Sequence, residues 1–191
     1  MKRKRLQQQF IYADDATEDV GLLVRLRLPW LIVGLFIGMV ISFVISRFEG
    51  VLSEQLSLVF FLPIIVYMSD AVGTQTETIY IRNLIRTPEK TKLSAYFVKE
   101  LLFGLITGGV AGGLMAGIAY WWLGSTDLAL LVGLAMLVSM TAATMFALFV
   151  PVFIHRLIKV DPAIGAGPFT TAIQDLISVS LYLLIASVII L

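Results

Sequence analysis

The sequence predicts an all-α integral membrane protein with five spanning helices, and three observations carry that prediction. Of 191 residues, 59% are hydrophobic and 14% charged, and the mean hydropathy is +0.94. A soluble domain is about a quarter charged, so this chain has too little charge to coat a water-facing surface. Its apolar residues fall into five runs, and its cations collect on one side of them.

A membrane-spanning helix needs about 20 mostly apolar residues. The first run, 28–45, carries no charge. The second, 56–69, is shorter and continues through the polar stretch 70–78 into Ile79, Tyr80 and Ile81. Runs 101–123 and 128–154 are free of charge, and 168–191 holds one, Asp175. An odd count puts the termini on opposite sides. Lys2, Arg3, Lys4, Arg5, Arg25 and Arg27 precede span 1; Arg82, Arg86, Lys90, Lys92 and Lys99 lie between spans 2 and 3; Arg156 and Lys159 lie between spans 4 and 5. Only Arg47, of the 14 cations, falls on the other face. Basic loops stay in the cytoplasm, so the N-terminus is expected inside and Leu191 outside, in the cell's inner (plasma) membrane.

Residues 1–27 are expected to form a cytoplasmic segment and 28–191 the membrane domain. The start is basic but passes into Gln7, Gln8 and Gln9 and the acids Asp14, Asp15, Glu18 and Asp19, without the apolar core of a secretory signal. Residues 20–28 read as a short helix on the membrane surface leading into span 1. No soluble domain fits in what remains, so regulation is expected from a separate cytosolic protein. Gly104, Gly108 and Gly112 form one rib on span 3, Gly109, Gly113 and Gly117 a second, and Gly34 and Gly38 a smooth patch on span 1. Such ribs are surfaces for close helix packing. Trp30, Trp121 and Trp122 stand near span ends, where an interfacial belt is expected.

Acids inside a membrane are expensive and mark ion paths when no structural partner is evident. Asp175 is the one charge in span 5. Asp70, Gly73, Thr74 and Glu77 recur at helical spacing and share one face of the extended span 2, as a wall lining water would. Glu100 reads as a helix-start carboxylate beside Lys99 and Asp127 as a cap for span 4. Carboxylates without buried Lys or Arg point to a cation path. Mg²⁺ suits it, since this ion keeps several waters and uses one or two carboxylates. There is no Cys, and the one His, His155, sits beside Arg156, which leaves no thiol or imidazole metal cluster and no Ser-His hydrolase. No Walker-type phosphate loop is present. Neither an enzyme nor a nucleic-acid partner is expected.

Three stretches resemble the membrane domain of the MgtE family of magnesium channels and transporters. The first is Arg25-Leu26-Arg27-Leu28-Pro29-Trp30-Leu31 with Phe48-Glu49. The second is Pro63 with Val72-Gly73-Thr74-Gln75-Thr76 and Ile81-Arg82-Asn83-Leu84. The third is Pro151, Asp161-Pro162-Ala163 and Gly167-Pro168-Phe169, with Asp175 seven residues after Pro168. The resemblance covers residues 25–191. It implies five helices per chain in a homodimer, a pore on the two-fold axis, and Asp175 holding hydrated Mg²⁺ with its twin. Where the family has Gly-Asn, this chain has Asp70-Ala71, and where it often has Asn in helix 4, this chain has Ser139; these positions lie near the family's ion path. The family's cytosolic Mg²⁺-sensing domains have no counterpart here, which implies transport without that gate. A compact unit of this kind also resembles one half of the eukaryotic solute-carrier magnesium transporters.

The leading expectation is therefore Mg²⁺ transport through a carboxylate-lined pore between two copies in lipid, with Asp175, Asp70, Glu77, Gly73, Thr74, Ala71 and Ser139 along the path. A Na⁺- or H⁺-coupled exchanger is the alternative within transport, with the extra acids binding the coupling ion. A non-transporting membrane subunit is the alternative outside it.

Overall fold

The computed structural model describes residues 19–86, 93–153 and 162–190, all but a few of them helical. The elements are α1 (Val20–Arg47), α2 (Glu49–Glu54), α3 (Leu58–Arg86), α4 (Leu93–Leu123), α5 (Thr126–Phe153) and α6 (Pro162–Ile190). All except α2 are long and apolar enough to cross a membrane. The shortest apolar span has 24 residues, roughly 36 Å at about 1.5 Å per residue, against about 30 Å of hydrocarbon.

The number of spans agrees with the sequence reading; the helix ends do not. Among the described residues no separate helix precedes span 1: Asp19 caps α1 by accepting from Gly21 N at 3.0 Å, and the helix runs on through Pro29, with no break at 27–28. Helix α3 continues unbroken through the polar stretch, α4 begins eight residues before the apolar run, and α6 begins before Pro168 and contains it. Backbone hydrogen bonding carries a helix past the hydrocarbon boundary into the interface, whereas hydropathy registers only the apolar part. The four internal prolines, Pro29, Pro63, Pro151 and Pro168, are tolerated in membrane helices because neighbours re-satisfy the freed carbonyls.

Helices α4 and α5 form a hairpin. Gly124, at φ +67°, closes α4 with its N–H on Tyr120 O; a left-handed cap of this kind favours glycine. Ser125 Oγ then accepts from Leu128 N at 3.3 Å, so Ser125 supplies the cap expected of Asp127, which sits in the first turn of α5. The first glycine rib is buried in this hairpin. A Cβ on Gly112 would lie 2.5 Å from Gly133 O, and one on Gly108 would lie 2.9 Å from Leu137 O. The second rib, Gly109, Gly113 and Gly117, meets nothing within 4 Å. Spacing alone could not say which rib is packed.

Helix α5 lies at the centre, against α3, α4 and α6, while α6 also packs on α1 and α3. The core holds Phe61, Ile65, Leu131, Met136 and Leu183, each at most 2% exposed. Helix α1 buries no residue and rests on α6. Trp30 stands ten residues into α1, edge-on to Phe169 at 6.5 Å. Trp122 stacks on Phe60 at the end of α4.

Candidate cation site

Helices α3 and α6 run antiparallel in a fixed register. Tyr182 donates its hydroxyl to Leu58 O at 2.7 Å, Gly73 faces Gln174, and Thr170 Oγ1 donates to Glu77 Oε1 at 3.1 Å. Moving toward the C-terminus on α3 thus moves toward the N-terminus on α6. The register puts Asp70 and Asp175, one from each helix, on the same side of the interface.

They line one cavity of about 410 Å³. Its apolar wall includes Ile45 of α1, Leu62 and Val66 of α3 and Val179 of α6; its polar groups are Asp70, Asp175, Thr171 and the Tyr67 hydroxyl. Tyr67 is 66% exposed, so the cavity reaches the protomer surface. The Oδ1 atoms of both aspartates are buried and have no hydrogen-bond partner. Among the described residues the other buried orphans are Ser69 Oγ and both amide atoms of Gln174. All of these atoms belong to two dipeptides, 69–70 and 174–175. Native proteins pair nearly all their buried polar atoms, so the two cavity aspartates are where water or an ion would supply a missing partner; Ser69 and Gln174 lie outside the cavity lining.

The donor set is all oxygen, which fits a hard cation. Among the described residues no group of three or more His, Cys, Asp or Glu could cage a metal. Two carboxylates suit an ion that keeps its water. Six waters occupy roughly 180 Å³ at about 30 Å³ each, well within the cavity.

The other acids of the region are partnered. Glu77 is 5% exposed and takes the Thr170 hydroxyl. Its neighbour Thr76 turns toward α4 and donates to Glu100 Oε2 at 2.7 Å. The Glu100 carbonyl accepts from Thr144 Oγ1 at 3.0 Å. Glu100 is therefore a joint between α3, α4 and α5, lying inside α4 and not at its start. Asn83 Nδ2 donates to the Tyr96 hydroxyl, and Tyr96 meets Tyr80 edge-on, which ties α3 to α4 again.

The expected wall of Asp70, Gly73, Thr74 and Glu77 is thus divided. Asp70 faces the cavity, Gly73 and Glu77 are buried against α6, and Thr74 is exposed. Gly73 does not open the backbone to an ion; the Gln174 carboxamide fills the space its side chain would take. Ala71 is half-buried outside the cavity lining. Ser139 is buried and donates to Ser178 O at 3.5 Å. A helix face that looks continuous on a wheel divides because α3 is contacted from more than one direction. His155, Arg156, Lys159 and Asp161, like the cations of residues 2–5 and Lys90 and Lys92, lie outside the described residues.

Sequence reasoning missed Thr171, Thr170 and Gln174. Thr171 stands one helical turn before Asp175 and Gln174 directly before it. A search for charge passes over such neutral polar residues; a search for any polar residue in an apolar span finds them.

Comparison with known proteins gives the family of the chain. The MgtE family model, described as a divalent cation transporter, matches residues 62–185. The chain is 34% identical over 162 residues to the magnesium transporter MgtE of Bacillus subtilis, covering 84% of this chain and 36% of that protein. It is 36% identical to the Enterococcus faecalis magnesium transporter MgtE over the same shares of each chain. Against the Thermus thermophilus magnesium transporter MgtE it is 30% identical over 161 residues, 35% of that protein. The chain thus spans about a third of the length of these curated relatives. The match takes in both cavity aspartates, and the family is one of transporters and not of enzymes. This chain belongs to the MgtE family of divalent cation transporters.

Proposed function

We propose that this chain moves hydrated divalent cations, Mg²⁺ first, along a path lined by Asp70 and Asp175 from two copies of the protein. The observation that carries the reading is the pair of aspartates lining one cavity, each with a buried Oδ1 that lacks a partner. An ionised carboxylate without a partner in a low-dielectric site is costly. A cation with its water offsets that cost, and a divalent ion does so about twice as strongly as a monovalent one at the same distance. The relatives' role as magnesium transporters supports Mg²⁺ as the ion.

A second copy completes the site. The cavity reaches a surface that would otherwise face lipid, where two carboxylates are unfavourable. Helix α1, with no residue buried in the protomer, offers apolar surface beside it, including Phe36 and Met39, both over 60% exposed. A two-fold axis along the membrane normal brings both cavities to shared water. The cation partition of the loops supports an N-terminus in the cytoplasm.

The test is uptake by liposomes containing purified protein, comparing Mg²⁺, Ca²⁺, Mn²⁺ and Na⁺, with particle mass measured in nanodiscs. Dimers that carry Mg²⁺ without requiring a Na⁺ gradient are expected. A transporting monomer contradicts the shared path, and uptake that depends on Na⁺ makes the protein a coupled exchanger.

A further inference from the structure

Gln174 is 1% exposed, and neither atom of its amide has a partner. An apolar side chain of similar volume would fill the space without that desolvation cost. The carboxamide does not line the cation cavity. It lies flat against Gly73, so close that a Cβ there would stand 2.5 Å from Gln174 Cδ, with both amide heteroatoms nearer still. Gly73 is three residues from Asp70, and Gln174 adjoins Asp175. The contact therefore sits in the α3–α6 interface at the level of the two aspartates, one on each helix. On either side the register is pinned by hydrogen bonds, Tyr182 to Leu58 and Thr170 to Glu77. Those bonds resist sliding along the helices, and the Gly73–Gln174 contact lies between them.

We propose that Gln174, seated on Gly73, is the positioning residue that fixes the distance between Asp70 and Asp175 and so the choice among divalent ions. The inference rests on the reading of those aspartates as the cation site. The separation of two carboxylates decides how much water an ion between them keeps. Mg²⁺ dehydrates reluctantly, whereas Ca²⁺ accepts longer oxygen distances and more ligands. A methyl group on Gly73 pushes the helices apart and favours the larger ion. Shortening Gln174 lets them approach.

The experiment measures Mg²⁺ and Ca²⁺ uptake by liposomes containing the full chain, with Asp175→Asn as a parallel arm. In Gly73→Ala the Mg²⁺-to-Ca²⁺ ratio is expected to fall about fivefold, and in Gly73→Ala with Gln174→Ala to return to within about twofold of the parent. Gln174→Ala alone, which introduces no clash, is expected to move the half-saturating Mg²⁺ concentration about threefold with maximal uptake little changed. This arm decides the matter if Gly73→Ala does not assemble. Parental ratios and half-saturation in both single variants, or a double variant no closer to the parent than Gly73→Ala, overturn the inference. If Asp175→Asn transports like the parent, it is the cation-site reading that falls.

Discussion

Two levels of helix α3 treat their acids in opposite ways. At the level of Thr76 and Glu77, each carboxylate has a threonine: Thr170 for Glu77 and Thr76 for Glu100. Two turns earlier, at Asp70, the carboxylate shares a cavity with Asp175 and both have a buried oxygen without a partner. The difference teaches that partnership separates an acid that joins helices from one that awaits an ion.

That contrast can be broken or sharpened by substitution. The largest effect is expected at the cavity. With free Mg²⁺ at 100 times its dissociation constant, binding stabilises the folded protein by about 2.7 kcal/mol. Asp175→Asn should lose that gain, as read by thermal unfolding in detergent with and without Mg²⁺. If the variant is stabilised as the parent is, Asp175 is not a ligand. At the other level of α3, Thr170→Val strips Glu77 of its hydroxyl and should cost about 1.5 kcal/mol of stability. Its Mg²⁺-dependent gain should be intact; loss of that gain would join the two levels into one site.

A smaller change is expected from Asp70→Gly with Ala71→Asn, which replaces a cavity carboxylate by the family's neutral pair. Uptake should persist with its preference among Mg²⁺, Mn²⁺ and Ca²⁺ moved by about fivefold, close to 1 kcal/mol. An unchanged preference would mean that Asp70 contributes nothing to selection. Smallest of all is Thr74→Ala, on the exposed face of α3. It should stay within about 0.5 kcal/mol in stability and leave uptake at the parental rate, and a loss of uptake would place the path along that face.

Much of the architecture was legible because hydropathy is a one-dimensional signal. Five apolar runs became five long helices, and Asp175 stands out as the one charge in its run. What remained hidden depends on residues far apart in the chain. The hydroxyl that partners Glu77 is 93 residues away, and spacing on α3 cannot reveal it. Helical periodicity placed Asp70, Gly73, Thr74 and Glu77 together; it could not show that α6 and open surface would divide them. The glycine ribs pose the same problem. Both have four-residue spacing, yet only Gly104, Gly108 and Gly112 meet α5. The Gly73–Gln174 contact is hidden for the same reason: Gln174 carries no charge and stands on another helix.

The most direct test of the central claim compares Mg²⁺ uptake by liposomes containing Asp175→Asn or Glu77→Gln at equal protein content and confirmed dimer mass. Both substitutions remove one intramembrane carboxylate and change little in size. The account predicts that Asp175→Asn falls at least about tenfold, a loss of roughly 1.4 kcal/mol, while Glu77→Gln keeps uptake within about threefold of the parent. Uptake retained in Asp175→Asn and abolished in Glu77→Gln would contradict it, and would place the ion among the partnered acids.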